Sequence, residues 1–210
     1  MNGKLYLMDY NLLSYYTKPN TFIDIGAHIG NFTRNILKIS PQCSCYLIEA
    51  NPNCEPYLQK LNKPYQIIGL SSKQSTSELY IENDNHIGTG TSIYKENTQF
   101  YGEGKYHKIP IQLNTLYNLN LFPETVIDLI KIDTQGSELD ILLGGIKTIK
   151  RTKYLILEVS VLHYNDNTPL VDIIMGKMQE YSFKIEDILD YKYLNNQIFQ
   201  MDFLIKNTYL

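Results

Sequence analysis

Short β-branched runs alternate with helix-like segments along the chain, and this alternation constrains the fold more than any other feature. The runs predict strands at residues 21–26, 43–50, 65–71, 77–83, 108–116, 126–135, 153–160, 182–187 and 198–206. Helices are predicted at 31–39, within 51–61, from 137 onward and at 169–180. Such alternation predicts an α/β fold with a doubly wound, mostly parallel sheet and helices on both faces.

The strand and helix at residues 126–146 give the clearest local signals. The run VIDLIKIDTQ (126–135) is apolar almost throughout, as expected of a strand buried on both faces of a parallel sheet. The following helix is predicted to begin at Ser137, where Ser137 and Asp140 form a capping box ahead of an apolar stripe. We therefore expect this strand at the centre of the sheet.

The 210 residues show no repeat and no low-complexity linker, so we expect a single domain over residues 21–210. Residues 1–20 are expected to be an N-terminal extension that packs on this domain. Residues 83–107 form a loop insertion rich in glycine, tyrosine and polar residues, which predicts a lid or specificity element beside an active site. The alternative is a surface loop without a role in binding.

The net charge, the distribution of apolar residues and the cysteine content indicate which binding partners and which cellular compartment to expect. A net charge of −3 without a long Lys/Arg run does not favour nucleic-acid binding. With neither a long apolar run nor an apolar signal core at the start, no membrane contact is expected. Cys43, Cys45 and Cys54 do not form a disulfide framework and fit a reducing compartment, which predicts a cytoplasmic protein. The oligomeric state stays open, a homodimer included.

Acidic residues stand at the ends of predicted strands, at Asp24, Glu49, Asp133 and Glu158. In a doubly wound sheet, ligands bind outside the carboxyl ends of the strands. Because each carboxylate must be solvated or paired, several aimed at one rim indicate a polar ligand.

The stretch FIDIGAHIGNFT (22–33) predicts a turn where the backbone can approach a ligand at Gly26 and Gly30. Its spacing lacks the middle glycine that makes room for a pyrophosphate. This favours a ligand without phosphates, such as an adenosine carrying an amino-acid chain. Glu49, 25 residues beyond Asp24, is placed to accept both hydroxyls of a ribose. The alternative is a glycine corner that binds nothing.

These segments resemble the FkbM family of class I S-adenosylmethionine (SAM)-dependent methyltransferases. That family carries, in the same order, segments similar to FIDIGAHIGNFT, YLIEANP, LIKIDTQGSELDILLGG and LILEVS, and a closing strand similar to NQIFQMDFLIKN. The resemblance covers the chain from about residue 20 to its end. It implies a seven-stranded sheet with the last strand antiparallel, SAM as cofactor, and methyl transfer to a hydroxyl. The implied acceptor is a sugar, glycan or related small molecule.

The resemblance also implies which residues bind SAM. Asp24, Gly26 and Gly30 would hold its methionine part, and Glu49 its ribose. His28 belongs to this set but stands where the family usually has asparagine. The remaining positions are Asn31 at the helix start, Asn51 at the adenine edge, Ser71 after the third strand, and Asp133.

Methyl transfer needs an acceptor held near attack distance and a group that takes its proton. The predicted catalytic residues are Asp133, Glu158 and His163, with Glu138 and His107 as weaker candidates. The corresponding structural alternatives are a turn cap at Asp133, an ion pair at Glu158 and a surface position for His163. Glu138 would then only complement the helix dipole. Their spacing matches no compact metal motif, so no metal is predicted.

Two other classes of function stay open. One is an NAD-dependent oxidoreductase on a similar sheet. The missing middle glycine and the KIDTQGSELD segment both argue against this alternative. The other is a non-catalytic module that keeps the cofactor-binding fold. Acidic residues retained at several strand ends count against this second alternative.

Overall fold

The computed structural model describes residues 10–97, 102–163, 165–166 and 168–210. The helices are α1 (Tyr10–Tyr16), α2 (Asn31–Ile39), α3 (Glu55–Gln59), α4 (Glu138–Gly144), α5 (Ile146–Ile149) and α6 (Val171–Glu180). The strands are β1 (Thr21–Ile25), β2 (Ser44–Glu49), β3 (Tyr65–Ile67), β4 (Gly69–Leu70), β5 (Ser75–Glu82), β6 (Tyr106–Asn114), β7 (Ile127–Ile132), β8 (Thr152–Ser160), β9 (Phe183–Leu194) and β10 (Gln197–Asn207). A 3-10 turn at Pro52–Cys54 precedes α3.

Seven strands form the main sheet, in the order β3-β2-β1-β7-β8-β10-β9. The first five strands in this order, β3, β2, β1, β7 and β8, pair in parallel. In contrast, β10 runs antiparallel to both of its neighbours, β8 and β9. The predicted α/β class, the seven strands and the antiparallel last strand are thus confirmed. A second sheet of three strands, in the order β4-β6-β5, was not predicted.

The predicted strand at 65–71 is wrong as one element, because it divides between the two sheets. β3 pairs with β2 in the main sheet, and β4 pairs with β6 in the small one. At Gly69 a Cβ would come within 2.4 Å of the Leu113 side chain on β6. The lack of a side chain at Gly69 lets the backbone lie close to β6, at the point where the chain passes from the main sheet to the small one.

The last two strands form a long hairpin that extends past the predicted end of β9 at residue 187. β9 continues to Leu194 and turns into β10 through Asn195 and Asn196. Both asparagines have positive φ, 49° and 64°, which is the backbone that a two-residue hairpin turn requires. The Asn-Asn pair is therefore the turn signal that was missed.

The alternation of side chains along each strand divides the core between the two faces of the main sheet. One set packs under α4, α5 and α6 and includes Ile23, Ile130 and Leu157. The other packs under α1, α2 and α3 and includes Phe22, Leu129, Ile156 and Leu204. We call the second face the α2 face. Helices thus cover both faces, as predicted for a doubly wound sheet.

The helix α1 packs on the α2 face through the fully buried Leu13. Its Tyr16 hydroxyl donates a hydrogen bond to Asp187 in β9 at 2.8 Å. The three cysteines are buried and form no disulfide. In the part of the chain that the structure describes, no helix is long and apolar enough to cross a membrane.

Candidate active site

The turn after β1 contains three residues with left-handed backbone, at Gly26 (φ 75°), His28 (φ 51°) and Gly30 (φ 81°). A Cβ on Gly26 would come within 1.7 Å of the backbone oxygen of Asp133. A Cβ on Gly30 would come within 2.3 Å of the Leu61 side chain. Close packing against backbone thus requires glycine at position 26, whereas at Gly30 the left-handed backbone is the stronger restriction, because the Leu61 side chain can move. Gly26 in addition lines the large cavity described below.

We predict that Gly26→Ala lowers the free energy of unfolding by more than about 3 kcal/mol, because strained backbone and a backbone clash act together. The matched control is Gly104→Ala, where φ is 74° but nothing lies within 4 Å of the added Cβ. That control should lose only about 1–2 kcal/mol from the left-handed backbone. Urea unfolding of both variants measures the difference, and equal losses would contradict the clash at Asp133.

Glu49 ends β2 beside this turn with only 8% of its surface exposed. One carboxylate oxygen accepts the backbone N–H of His28 at 2.7 Å, and the other accepts the backbone N–H of Asn51 at 2.8 Å. Burial raises the pKa of Glu49, and these two N–H groups oppose the rise. Since each carboxylate oxygen can accept a second hydrogen bond, Glu49 can still bind two hydroxyl groups.

Residues 86–93, which we call the strap, cross over the strand ends. Near β1 and β2, the His28 ring Nε2–H donates to the carbonyl of Ile87 at 2.6 Å, and the Asn51 side-chain amide donates to the carbonyl of His86 at 2.7 Å. Farther along, the Ser92 hydroxyl donates to the carbonyl of Gln135 at 2.8 Å. The strap therefore connects the turn after β1 to the turn after β7.

We predict that His28→Asn speeds hydrogen exchange of the strap amides by about tenfold, because one hydrogen bond is lost. Asparagine tolerates the left-handed backbone of His28 but is too short to reach Ile87. Exchange measured by mass spectrometry should change in the strap and leave the central strands unchanged. His163→Ala, at an exposed position, is the control. The strap contact is refuted if both variants exchange alike.

A cavity of about 660 Å³ opens under the strap at the carboxyl ends of β1, β2, β7 and β8. This volume lies within the usual range for small-molecule sites. One end is lined by Glu49, Asn51, Ile68 and Leu70, and the other by Asp133, Gln135, Glu158 and Lys192. The strap residues 88–93 line the cavity between these ends.

A row of charged side chains lies on the α2 face where it meets the cavity. Asp24 and Lys131 are register partners on β1 and β7, and Glu158 and Asp202 are partners on β8 and β10. Each of these four residues is two positions along its strand from a residue that packs on the α2 face. Because side chains alternate between the two faces of a strand, all four charged side chains lie on the α2 face. Asp133 follows Lys131 at the same spacing and joins them.

Ion pairs and amide contacts link this row. The Lys131 ammonium lies 2.6 Å from Asp133, and the Lys192 ammonium lies 2.6 Å from Glu158. The Gln135 amide donates to both Asp133 and Glu158, which joins the two pairs. Gln135 itself has left-handed backbone with φ 57°, a conformation rare for this residue type.

These contacts set the ionisation of the buried acids. Burial would raise the pKa of Asp133, but Lys131, Glu158 and Lys192 together outweigh it and hold that pKa well below its usual range. Burial and the neighbouring Asp133 raise the pKa of Glu158. Burial also raises the pKa of Asp202, to about 7. The environment therefore pushes the pKa values of the acids in this one cluster in opposite directions.

The remaining predicted site residues lie outside the cavity lining. His163 is exposed beyond the end of β8, and His107 lies on β6 with its Nδ1 at 2.8 Å from the Asn83 side chain. Ser71 is buried beside β4. Asp24 is fully buried below the cavity, where the Thr33 hydroxyl donates to it at 2.6 Å. Of the predicted set, the structure brings together Gly26, His28, Asn31, Glu49, Asn51, Asp133 and Glu158.

The predicted capping box at α4 is wrong, because the Ser137 side chain makes no capping hydrogen bond. Glu138 holds the preceding turn instead, accepting the backbone N–H groups of Thr134 at 3.0 Å and of Gly136. Asp140 accepts the Tyr94 hydroxyl at 3.1 Å. A buried glutamate reaching back into the tight turn thus replaces the expected serine cap.

Sequence reasoning missed Lys131, Gln135, Lys192, Gln200 and Asp202, all of which line the cavity. A signal for two of them is present in the sequence. Lys131 interrupts the apolar run of β7, and Asp202 interrupts that of β10, at positions whose parity matches the α2 face. Charged residues inside buried strands are rare unless they are paired or functional.

Among the residues described, no group of three or more His, Cys, Asp or Glu side chains is arranged to hold a metal ion. The loop at 83–107 was predicted to contact a ligand through its tyrosines, and one of these, Tyr101, lies outside the described residues.

The strand order, with an antiparallel strand inserted next to the edge, and the cavity beside a buried acid on β2 define a Rossmann-like class I methyltransferase. Residues 24–185 match the model of the methyltransferase FkbM domain. The chain therefore belongs to the FkbM methyltransferase family, as its sequence motifs predicted. A search of curated proteins returned no significant match.

Solved structures share this fold. The FkbM methyltransferase of Methylobacillus flagellatus KT aligns with a TM-score of 0.56 and 14% identity, over 89% of this chain and 44% of that one. The chain thus spans less than half the length of that protein. TrmK of M. capricolum, in complex with S-adenosylhomocysteine (SAH), aligns with a TM-score of 0.52 and 11% identity, over 96% and 69% of the two chains.

A third structure is magnesium protoporphyrin IX methyltransferase of Synechocystis PCC 6803 with bound SAM. It aligns with a TM-score of 0.50 and 9% identity, over 95% of this chain and 76% of that one. At these identities the likeness concerns the fold. SAM and its product SAH are the ligands of these two neighbours, in accord with the cofactor predicted from the sequence.

Proposed function

We propose that the protein transfers a methyl group from SAM to a hydroxyl of a sugar, glycan or related metabolite. The observation that supports this proposal is that the two ends of one cavity differ in chemical character. One end offers a buried carboxylate beside an apolar surface, and the other offers a cluster of acids, amides and lysines. The first suits a nucleoside, and the second suits a molecule rich in hydroxyl groups.

Glu49 is the proposed ribose ligand. Its two oxygens each hold one backbone N–H and each keep a lone pair for a ribose hydroxyl. The neighbouring wall contains Ile48, Ile68, Leu70 and Leu79, which offer an apolar surface for an adenine ring. Asn51 lies at the same end, where its side-chain amide also holds the strap.

Asp24 is proposed to act electrostatically from below the cavity. Its Oδ1 atom is buried and has no hydrogen-bond partner among the described residues. Its pKa is raised by burial, with the charge of Lys131 and the Thr33 hydroxyl acting against the rise. A cofactor that carries positive charge fits above such a carboxylate. The residues present therefore fit SAM.

The acceptor end suits hydroxyl groups because they both donate and accept hydrogen bonds. Asp133, Gln135, Glu158 and Gln200 offer carboxylate and amide groups, and Phe199 offers an aromatic face for a sugar ring. SAM, when bound, supplies a methyl group on a positively charged sulfur. The protein's own contribution is to hold the acceptor oxygen in line, to take up its proton, and to exclude water under the strap.

Calorimetry with SAH and with NAD separates this proposal from an NAD-dependent oxidoreductase. Binding of SAH alone supports it, whereas preferential binding of NAD overturns it. Incubation with radiolabelled SAM and a panel of sugars, nucleotide sugars and glycans then tests the acceptor class. SAH binding without transfer to any member of the panel would instead favour a non-catalytic module or a different acceptor class.

A further inference from the structure

We propose that Asp202, on β10, accepts the hydrogen bond and then the proton of the acceptor hydroxyl. This inference rests on the proposed methyl transfer and names the group that completes it. Asp202 lines the cavity directly opposite Glu158 across the β8–β10 pair. It lies beyond residues 24–185, the range that matches the family model.

Asp202 differs from the other acids of the cluster because no protein donor holds its carboxyl group in place. Asp133 receives Lys131 on one oxygen and Gln135 on the other, and Glu158 receives Lys192 and Gln135 in the same way. The Asp202 carboxyl makes no hydrogen bond or ion pair within the described part of the chain, although it is only 8% exposed. A carboxyl that faces the cavity and has no protein partner is available to accept a hydrogen bond from a ligand hydroxyl.

The charges around Asp202 suit a proton acceptor. Five charged groups surround it: Glu158 on β8 and Asp190 and Lys192 on β9, the two strands beside β10, and beyond β8 Lys131 on β7 and Asp133 just after that strand. Burial and the charge of Asp133 raise its pKa to about 7, against the opposing effect of the two lysines. A base with a pKa near the working pH both holds its charge in part and binds the proton well.

The step balances without any further reactant. The acceptor oxygen forms a bond to the methyl carbon as the carbon–sulfur bond breaks, and the sulfur keeps that electron pair. The O–H bond of the acceptor breaks, and its proton passes to the Asp202 carboxylate. An uncharged hydroxyl is the acceptor that this arrangement favours, because an anionic group would lie among Asp133, Glu158 and Asp202.

The test compares Asp202→Asn with the matched control Asp190→Asn, which replaces the register partner on β9. Asp190 differs because one of its oxygens already accepts the backbone N–H of Tyr191 at 2.8 Å. Calorimetry with SAH should give unchanged affinity for both variants, since both positions lie away from the Glu49 end. Carbon NMR of the SAH complex should show a carboxyl that titrates near pH 7 and is lost only in Asp202→Asn.

The activity arm uses labelled SAM and an equimolar pool of glucose, galactose, mannose, xylose and rhamnose. Asp202→Asn should lower kcat by about 100-fold or more with little change in KM, as expected for a lost general base. The wild-type rate is expected to rise through pH 7, and Asp202→Asn should lose this rise. Asp190→Asn should keep the rise, displaced to slightly lower pH because the charge of Asp190 contributes to the raised pKa of Asp202, and should lose far less of the rate than Asp202→Asn.

The outcomes separate this inference from the proposed function. An Asp202 carboxyl that titrates near pH 4, the ordinary aspartate range, overturns it, as does a wild-type rate in Asp202→Asn. A wild type that binds SAH but methylates no sugar in the pool overturns the acceptor class. In that event the NMR titration still decides the role of Asp202, because it needs no turnover.

Discussion

Replacement of Glu49 by alanine is expected to weaken SAH binding by at least about 100-fold. A hydrogen bond to a charged group contributes about 1.5–3 kcal/mol, and the proposed site uses two such bonds to the ribose. Each 1.4 kcal/mol corresponds to a tenfold change in affinity. Glu49→Gln, which keeps one acceptor oxygen but loses the charge, should fall between the wild type and Glu49→Ala.

Calorimetry measures these affinities, and circular dichroism checks the fold. The check matters because alanine also leaves the backbone N–H groups of His28 and Asn51 without their acceptor. Asp84→Ala removes an exposed acid from the loop at 83–107 and is the charge-matched control. Unchanged SAH affinity in a folded Glu49→Ala protein would falsify the ribose assignment.

The fold was predictable where the period of the sequence was unambiguous. The bounds of α2 match the prediction, and the apolar run at 126–135 contains β7 at the centre of the sheet. Prediction failed at residues 65–71, because strand propensity is local and does not say which sheet a strand joins. The choice there depends on pairing with β2 on one side and with the distant β6 on the other.

The site was predictable at the ends of parallel strands, which the fold class brings to one rim. Glu49, Asp133 and Glu158 were found in this way and line one cavity. Asp202 was missed because β10 runs antiparallel to the other strands at this rim. The rim therefore meets the beginning of β10, whereas the reasoning considered only the ends of strands. The contacts of Gln135 were also beyond reach, because they depend on a left-handed backbone that the sequence does not announce.

The role of Lys131 could not be predicted from the sequence either, because the role of a lysine in a buried strand depends on which residues it pairs with in the fold. Lys131 is 6% exposed, is the register partner of Asp24 and is ion-paired with Asp133. One buried cation therefore compensates two acids, the fully buried Asp24 and the partly exposed Asp133. Its removal leaves both without their nearest positive charge, and this sets up the largest stability effect that we expect in the molecule.

Lys131→Met should lower the free energy of unfolding by about 3–5 kcal/mol at pH 7, the usual cost of breaking a buried ion pair. In the wild type the pKa of Asp133 is depressed, so its pairing stabilises the fold above about pH 4 and is lost as the pH falls further. In the variant that pKa should rise above the unfolded value, so the deficit should shrink toward pH 4 as Asp133 takes up a proton.

Urea unfolding between pH 4 and 8 measures this dependence, and Lys153→Met is the matched control. Lys153 forms a comparable pair with Asp128 at 2.8 Å, but its side chain is 48% exposed, so its loss should cost at most about 1 kcal/mol. The double variant Lys131→Met/Asp133→Asn should recover part of the loss, because it removes one of the two uncompensated charges. Equal losses for the two lysines, or a deficit independent of pH, would contradict this account, because only a buried cation shared by two acids makes the cost both large and dependent on the protonation of Asp133.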